Sequence, residues 1–291
     1  MIINFGSMGN DFLVPSGKNL PAKGETIVSA EEFVHTPGGG KGMNQAVAAA
    51  RAGAEVKMAG QVGRDPYGDA VLDTLSREGV DASLIETTDE TKTGVAFIFV
   101  DSAGENSIIN CAGANLQAQQ AVIPDTLLNE YNYVMLQMEV AYAENWALID
   151  RAKRNGATTV LNVAPADDVP VTALQQLDYL IVNEIEAGQV ANSLGLSTDT
   201  GDYAELARQI AQQCQLACII TLGGEGLVAF NDGQHHGVPA FDAGEIRDTT
   251  GAGDAFCGGF VAALETGHDF ATALRHGNIT GGLACTQIGC Q

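Results

Sequence analysis

The pattern that most restricts the fold is an alternation of short, nearly all-apolar runs with longer stretches of helical spacing. Residues 56–61, 133–137, 158–162, 179–182 and 218–221 are apolar almost throughout. A strand covered on one face alternates apolar and polar residues, whereas a strand covered on both faces has no need to. Between these runs, residues 44–52, 70–78, 145–154, 185–194 and 203–213 repeat apolar residues every three to four positions. Parallel strands need long crossovers, and helices supply them. The chain is therefore expected to form an α/β sandwich around a mostly parallel sheet. In such sheets ligands gather beyond the carboxyl ends of the strands.

Two segments break the alternation. Residues 11–35 hold Phe12-Leu13-Val14 and Thr26-Ile27-Val28 with turn residues between them. Residues 93–110 hold Val95-Ala96-Phe97-Ile98-Phe99-Val100, a turn at Ser102-Ala103-Gly104, then Ser107-Ile108-Ile109. Both read as hairpins with one apolar face. A lone hairpin is marginal in water, so the two are expected to pair into a small sheet, serving as a lid or as a dimer contact. No low-complexity linker or repeat of fixed period divides the 291 residues, which are expected to form one domain, 1–291.

Charge narrows the function. Thirty-six Asp and Glu against 14 Lys and Arg leave a formal charge of −22. A surface this acidic repels nucleic-acid phosphates and anionic lipid heads, so neither is an expected partner. If the substrate is polyanionic, the few basic residues near its site carry an unusual share of the work, and a cation helps. The six cysteines form no CxxC pair, and several lie in apolar runs, which predicts reduced thiols and a cytoplasmic protein. No window approaches the apolar length of a membrane span, and the histidines lack zinc-ligand spacing.

Chemistry concentrates after the predicted strands. Asp248-Thr249-Thr250-Gly251-Ala252-Gly253-Asp254 precedes a helical run, 255–265. Glycines at 251 and 253 allow a sharp turn that aims successive N–H groups into the helix start, a place suited to an anion. A carboxylate at 254 fits such a site if it is a general base for a hydroxyl attacking a phosphate; it fits equally as a simple cap. Pro37-Gly38-Gly39-Gly40-Lys41-Gly42-Met43-Asn44-Gln45 opens another helix. It lacks Walker spacing, but its glycines permit close approach to a small ligand, with Lys41 and Asn44 adding polar contacts; a flexible loop is the alternative. Asn183 and Glu186 sit three apart at a helix start, where they could organise Mg²⁺ or cap the helix. Thr221-Leu222-Gly223-Gly224-Glu225-Gly226 reads as a tight turn against which a nucleotide could lie. Glu139 and Asp11 also follow strands, so all these groups share one sheet edge.

The runs 39–48 and 248–254 together resemble the two signatures of the ribokinase-like (PfkB-type) carbohydrate kinases. Gly6-Ser7-Met8-Gly9-Asn10-Asp11, Thr93-Gly94-Val95-Ala96, Ala112-Gly113-Ala114-Asn115, Gln137-Met138-Glu139, Leu161-Asn162-Val163-Ala164-Pro165-Ala166 and Asn183-Glu184-Ile185-Glu186 fall in the family's order across the whole chain. The nearest likeness is to the ribose-phosphorylating members. This resemblance implies a three-layer α/β sandwich with a small β-sheet lid, from about 11–35 and 93–110, and a homodimer formed through the lids. It implies ATP-dependent phosphorylation of a primary hydroxyl, D-ribose giving ribose 5-phosphate, with a nucleoside, fructose or another sugar as the alternative acceptor; a binding protein without turnover is a more distant alternative.

By position, the resemblance makes Asp254 the base and Gly251, Ala252 and Gly253 the anion hole. Gly9, Asn10, Asp11, Gly39, Gly40, Lys41, Gly42, Asn44 and Glu139 would surround the sugar. Asn183, Thr221, Gly223, Gly226, Gly253 and Asn278 would meet ATP, with Glu186 near Mg²⁺. Asp248, Thr250, Ala284, Gln287 and Gly289 would hold K⁺, one further partner lying beyond Gln291. Met43 stands where the family has a small residue, next to Asn44, where it could crowd or reshape the sugar pocket.

Overall fold

The computed structural model describes residues 1–15, 20–101, 106–197, 201–287 and 289. Its strands are β1 (Ile2–Phe5), β2 (Gly9–Pro15), β3 (Val34–Gly39), β4 (Val56–Gly63), β5 (Asp81–Thr88), β6 (Gly94–Val100), β7 (Asn106–Cys111), β8 (Tyr133–Leu136), β9 (Thr158–Asn162), β10 (Tyr179–Asn183), β11 (Ala217–Thr221), β12 (Leu227–Asn231) and β13 (Gln234–Val238). Its helices are α1 (Lys41–Arg51), α2 (Pro66–Arg77), α3 (Tyr142–Asn155), α4 (Val171–Leu174), α5 (Glu184–Ser193), α6 (Tyr203–Cys214), α7 (Ala252–Glu265) and α8 (Phe270–Ala284).

Among the described residues, nine strands make the central sheet in the order β13-β12-β11-β10-β9-β8-β1-β4-β5. It is parallel from β11 to β5, and β12 and β13 run antiparallel at one edge. The pleat sends successive side chains to opposite faces. Ile3, Phe5, Val134, Leu136 and Leu161 pack on one side with Leu148 and Ile149 of α3, Val190 of α5 and Ile210 of α6. Ile2, Met58, Met135, Val160 and Ile219 pack on the other with Val47 of α1, Leu75 of α2, Phe260 of α7 and Leu274 of α8. These are the two apolar faces that the all-apolar runs required. Trimming one such side chain to alanine costs about 2–5 kcal/mol.

A second sheet has the order β3-β2-β6-β7. Its two hairpins join through a parallel pairing of β2 with β6, Asp11 opposite Ala96 and Phe12 opposite Phe97. The strand expected at Thr26-Ile27-Val28 does not form. Val28 is 90% exposed, with no apolar surface to cover, and β2 takes β3 as its antiparallel partner instead. The turn expected at 102–104 lies outside the described residues. No described helix is long and apolar enough to cross a membrane.

Candidate active site

The glycine run before α1 is built for close backbone approach. Gly40 has φ +86°, and a Cβ there would lie 3.0 Å from Ser7; at Gly42 it would lie 2.6 Å from the Ser7 nitrogen. Gly40 also leaves α1 without a side-chain cap of its own. Glu139, just past β8, supplies one: its Oε2 accepts the Lys41 N–H at 2.9 Å and the Ser7 hydroxyl at 2.6 Å. Capping and dipole together favour a carboxylate there. Asn115 clamps the neighbouring Met8 from both sides, accepting its N–H and donating to its carbonyl, each at 2.9 Å.

At the start of α7, Gly251 is left-handed (φ +78°). The Ala252 N–H turns back to the Thr249 carbonyl at 3.2 Å. Neither the Gly251 nor the Gly253 N–H has an acceptor among the described residues, so both remain for an anion, as a helix start provides. Asp254 lies beneath this turn, 6% exposed. Its Oδ2 accepts from Asn44 at 3.2 Å and its Oδ1 from Gln45 at 3.0 Å. Burial pushes its carboxyl above the ordinary range, and Lys41, Gln45 and Asn44 pull it part of the way back. Lys41 answers in kind: the Asp254 charge above all, then Glu139 and Glu186, raise its ammonium against the effect of burial.

Two cavities meet at these residues. The first, about 150 Å³, lies under the small sheet, with Asp11, Ala96, Ile98 and Asn110 above and Gly40, Lys41, Asn44 and Glu139 below. The second, about 240 Å³, is walled by Asn162, Asn183, Glu186, Thr221 and Gly253. Lys41, Gly251 and Asp254 belong to both walls. This arrangement can hold a hydroxyl compound on one side of a buried carboxylate and a polyanion on the other.

Of the residues expected around the sugar, Gly9, Asn10, Asp11, Gly40, Lys41, Asn44 and Glu139 line the first cavity. The Asn10 side chain is spent on the Tyr67 carbonyl at 3.1 Å and His35 at 2.8 Å. Gly39 and Gly42 stand behind the wall, where they let Asp11 and the 6–7 backbone approach. Met43 does not shape this cavity. It is fully buried, in the same core cluster as Ile2 and Met58, and is absent from the cavity wall.

On the other side, Asn183 and Glu186 form a capping box: the Asn183 side chain accepts the Glu186 N–H at 2.9 Å, and Glu186 Oε2 accepts the Asn183 N–H at 2.8 Å. Burial holds the Glu186 carboxyl above its ordinary value, offset in part by the Asn183 N–H and Lys41. Gly223, Gly226 and Asn278 lie outside the wall of the second cavity. Gly226 (φ +96°) packs against the 238–240 backbone, and Asn278 donates to the Pro239 carbonyl at 2.8 Å, so both secure one segment. Asp248 gathers the remaining predicted residues. Its Oδ1 accepts from the Thr250 N–H (2.9 Å) and hydroxyl (2.6 Å), and its Oδ2 from the Gly289 N–H (3.0 Å). That ties 248–250 to the stretch holding Ala284, Gln287 and Gly289.

All of chain 1–291 matches the pfkB family of carbohydrate kinases. This chain belongs to that family. The kinase, ATP-dependent like the family, is 33% identical over 288 residues to a ribokinase of Haemophilus influenzae, covering 98% of this chain and 92% of that one. Its fold is similar to the ribokinase of Thermotoga maritima, with TM-score 0.89 and 27% identity, covering 100% of this chain and 94% of that one. It is likewise similar to an Arabidopsis thaliana ribokinase solved with ribose and ATP, with TM-score 0.87 and 27% identity, covering 99% and 93%.

Sequence reasoning missed the amides beneath the site. Asn4, Gln45 and Gln137 are at most 1% exposed, and Asn162 is 8% exposed. Their signal was available: amides standing in runs otherwise apolar, such as Ile2-Ile3-Asn4-Phe5 and Tyr133-Val134-Met135-Leu136-Gln137. A buried amide must be hydrogen-bonded, so such residues mark a polar network.

Proposed function

We propose that the kinase phosphorylates the primary hydroxyl of D-ribose, giving ribose 5-phosphate. The observation that carries this is the position of Asp254, buried on the wall between two cavities and beside the free N–H groups of Gly251 and Gly253. In this reading Asp254 takes the proton of the attacking hydroxyl. The new bond joins the sugar oxygen to the γ-phosphorus, the bond to the ADP oxygen breaks, and the proton passes on to solvent. The Gly251 and Gly253 N–H groups hold the charge of the transferring group, while Ala252, its own N–H spent on Thr249, shapes the turn between them; one such donor contributes about 10²–10³ in rate. Lys41 faces the same charge. Thr221, Gly223, Gly226 and Asn278 are assigned to the nucleotide, Thr221 through the cavity wall and Gly226 and Asn278 by securing the 238–240 segment.

Ribose is supported by the names of the relatives and by size. At about 150 Å³ the first cavity is smaller than the range of about 300–1,000 Å³ typical of larger ligands, which favours a single monosaccharide over a nucleoside. Asp11, Asn44 and Glu139 are the polar groups assigned to its hydroxyls. Residues 1–291 are read as one kinase domain, with the small sheet as its lid.

Magnesium fits the second cavity. Among the described residues no cluster of three or more His, Cys, Asp or Glu could hold a bare metal, but Glu186 offers one hard oxygen ligand, enough for an ion that keeps its waters and arrives with the phosphates. Such an ion would neutralise charge on the phosphates. Potassium is assigned beside Asp248, where its carboxylate and the backbone carbonyls of Thr250, Ala284, Gln287 and Gly289 would supply oxygens. Burial alone would raise Asp248, but hydrogen bonds from Thr250 and Gly289 hold its carboxyl below the ordinary value, ready for a cation.

A homodimer through the small sheet is part of this reading. Val34 (54% exposed) and Ile109 (58%) leave that sheet with apolar surface in water. Light scattering is expected to give twice the chain mass, and Ile109→Asp half of that. A cytoplasmic site is supported by the free thiols Cys111, Cys214, Cys218, Cys257 and Cys285. The deciding test is ADP release with ATP, Mg²⁺ and K⁺ against D-ribose, 2-deoxyribose, fructose and adenosine. Ribose is expected to turn over fastest; preference for another acceptor, or silence with all four, overturns the assignment.

A further inference from the structure

We infer that Gln45 is a positioning residue for Asp254, held in one orientation by a buried chain of amides that begins at the Gly42 carbonyl. The inference rests on reading Asp254 as the base. A carbonyl oxygen can only accept, so the contact between Asn4 and the Gly42 oxygen must come from the Asn4 amide NH₂. That turns Asn4 Oδ1 toward Gln137, whose Nε2 donates to it at 2.8 Å. The same Nε2 donates to Gln45 Oε1 at 2.7 Å. With its oxygen engaged, Gln45 must present Nε2 to Asp254 Oδ1, at 3.0 Å, and to Asn162 Oδ1, at 3.1 Å. Asn162 closes the chain by donating to the Ile181 carbonyl at 3.1 Å.

Every amide is thus fixed in sense by backbone carbonyls at the two ends. Reversing Gln137 would set its oxygen against the oxygens of both Asn4 and Gln45. Its own Oε1 is buried without a partner, as is Asn145 Oδ1 nearby. With that oxygen unmet and both N–H groups used, the Gln137 amide is set by its donor side, toward Asn4 and Gln45 together. Four elements meet here: β1 through Asn4, α1 through Gln45, the end of β8 through Gln137 and β9 through Asn162.

The consequence is a carboxylate with its two oxygens given different tasks. Oδ1 is pinned from the core side by an amide that cannot rotate. Oδ2 faces Asn44 and the sugar cavity, where it can take a proton. The charged groups facing Asp254 are Lys41 of α1, Glu139 beyond β8 and Glu186 of α5, with the Cys257 thiol one turn along α7. Of these only Lys41 favours the ionised form, so an uncharged donor matters to it.

The test is Gln45→Met, of similar length but without the donor. Measured from pH 5 to 9, its kcat is expected to fall about tenfold or more at the acid end and to recover toward the parent at the alkaline end, with KM for sugar and ATP within about twofold. A filler role would instead lower kcat by the same factor at every pH, and a superimposable profile would overturn the inference. Should Gln45→Met fail to fold, Gln45→Glu keeps the shape, and its acid limb is expected to lie above the parent's. Gln137→Met frees Gln45 to turn over and is expected to shift the limb in the same direction by less. Asp254→Asn separates the two readings. If it turns over normally, the base assignment falls; if it is inert while the Gln45 variants keep the parent profile, the positioning role alone falls.

Discussion

Ser7 and Glu139 are joined by a 2.6 Å hydrogen bond across 132 residues of sequence, and the same Glu139 oxygen caps α1 at Lys41. One carboxylate therefore serves the loop after β1, the start of α1 and the floor of the first cavity. Glu139→Ala is expected to cost about 1–2 kcal/mol of stability through the lost cap. It should also raise KM for sugar tenfold or more, a loss of about 1.5–3 kcal/mol for a charged hydrogen bond. Chemical denaturation and initial-rate kinetics check the two effects separately.

Asp254→Asn is expected to lower kcat by about 10²–10⁴ while leaving ATP affinity near the parent's. Its effect on stability has the opposite sign. Burial raises the Asp254 carboxyl, so the folded protein disfavours the ionised form. The parent gives up stability as pH rises from the ordinary carboxylate range through the raised folded value. The amide variant escapes this, so its melting temperature should exceed the parent's at neutral pH, with the gap closing as pH falls toward 4. A variant that melts below the parent at pH 7 would contradict the burial argument.

Helices α1 and α7 cross at Gly258. A Cβ there would lie 2.6 Å from Ala48 Cβ and 2.7 Å from the Gln45 carbonyl oxygen. Gly258→Ala is expected to push the helices apart at a cost of about 1–3 kcal/mol, and Gly258→Val more. Because the shift displaces Gln45 from Asp254, kcat should fall as well. Thermal melts and a rate measured well below the melting point distinguish this from simple loss of folded protein.

The formal charge of −22 acts on ATP from a distance. Raising ionic strength from about 0.01 to 0.15 M shortens the screening length from about 30 to 8 Å. With K⁺ and Mg²⁺ held constant and choline chloride added, kcat/KM for ATP is expected to rise, whereas kcat/KM for an uncharged sugar should stay flat. A fall with salt would mean that a local basic field outweighs the acidic surface.

The central sheet was legible because burial on both faces writes itself as unbroken apolar runs, and 158–162 coincides with β9. The segment ending in β3 was not, since Val34-His35-Thr36-Pro37-Gly38-Gly39 is half exposed and rich in turn residues; only its pairing with β2 makes it a strand. Edge strand β5 was missed for the same reason, with its exposed Asp81, Ser83 and Glu86. In the site, glycine turns and carboxylates could be placed from sequence because their chemistry is local. The chain from Asn4 through Gln137 to Gln45 could not: its partners are brought together by β1, β8 and α1, and no spacing within one segment reveals it. Met43 shows the converse, a residue beside Asn44 in sequence whose side chain leaves the site for the core.

Lys41 stands in the walls of both cavities. Its ammonium is thus a shared counter-ion, and whatever occupies one cavity alters the charge felt in the other. Thermodynamic reciprocity then forbids independence: if bound phosphates draw Lys41 toward them and loosen its hold on the sugar side, bound sugar must weaken the phosphates by the same factor, and a change of sign in one would be a change of sign in both. In the proposed site a single amino group would make each substrate a reporter of the other's presence.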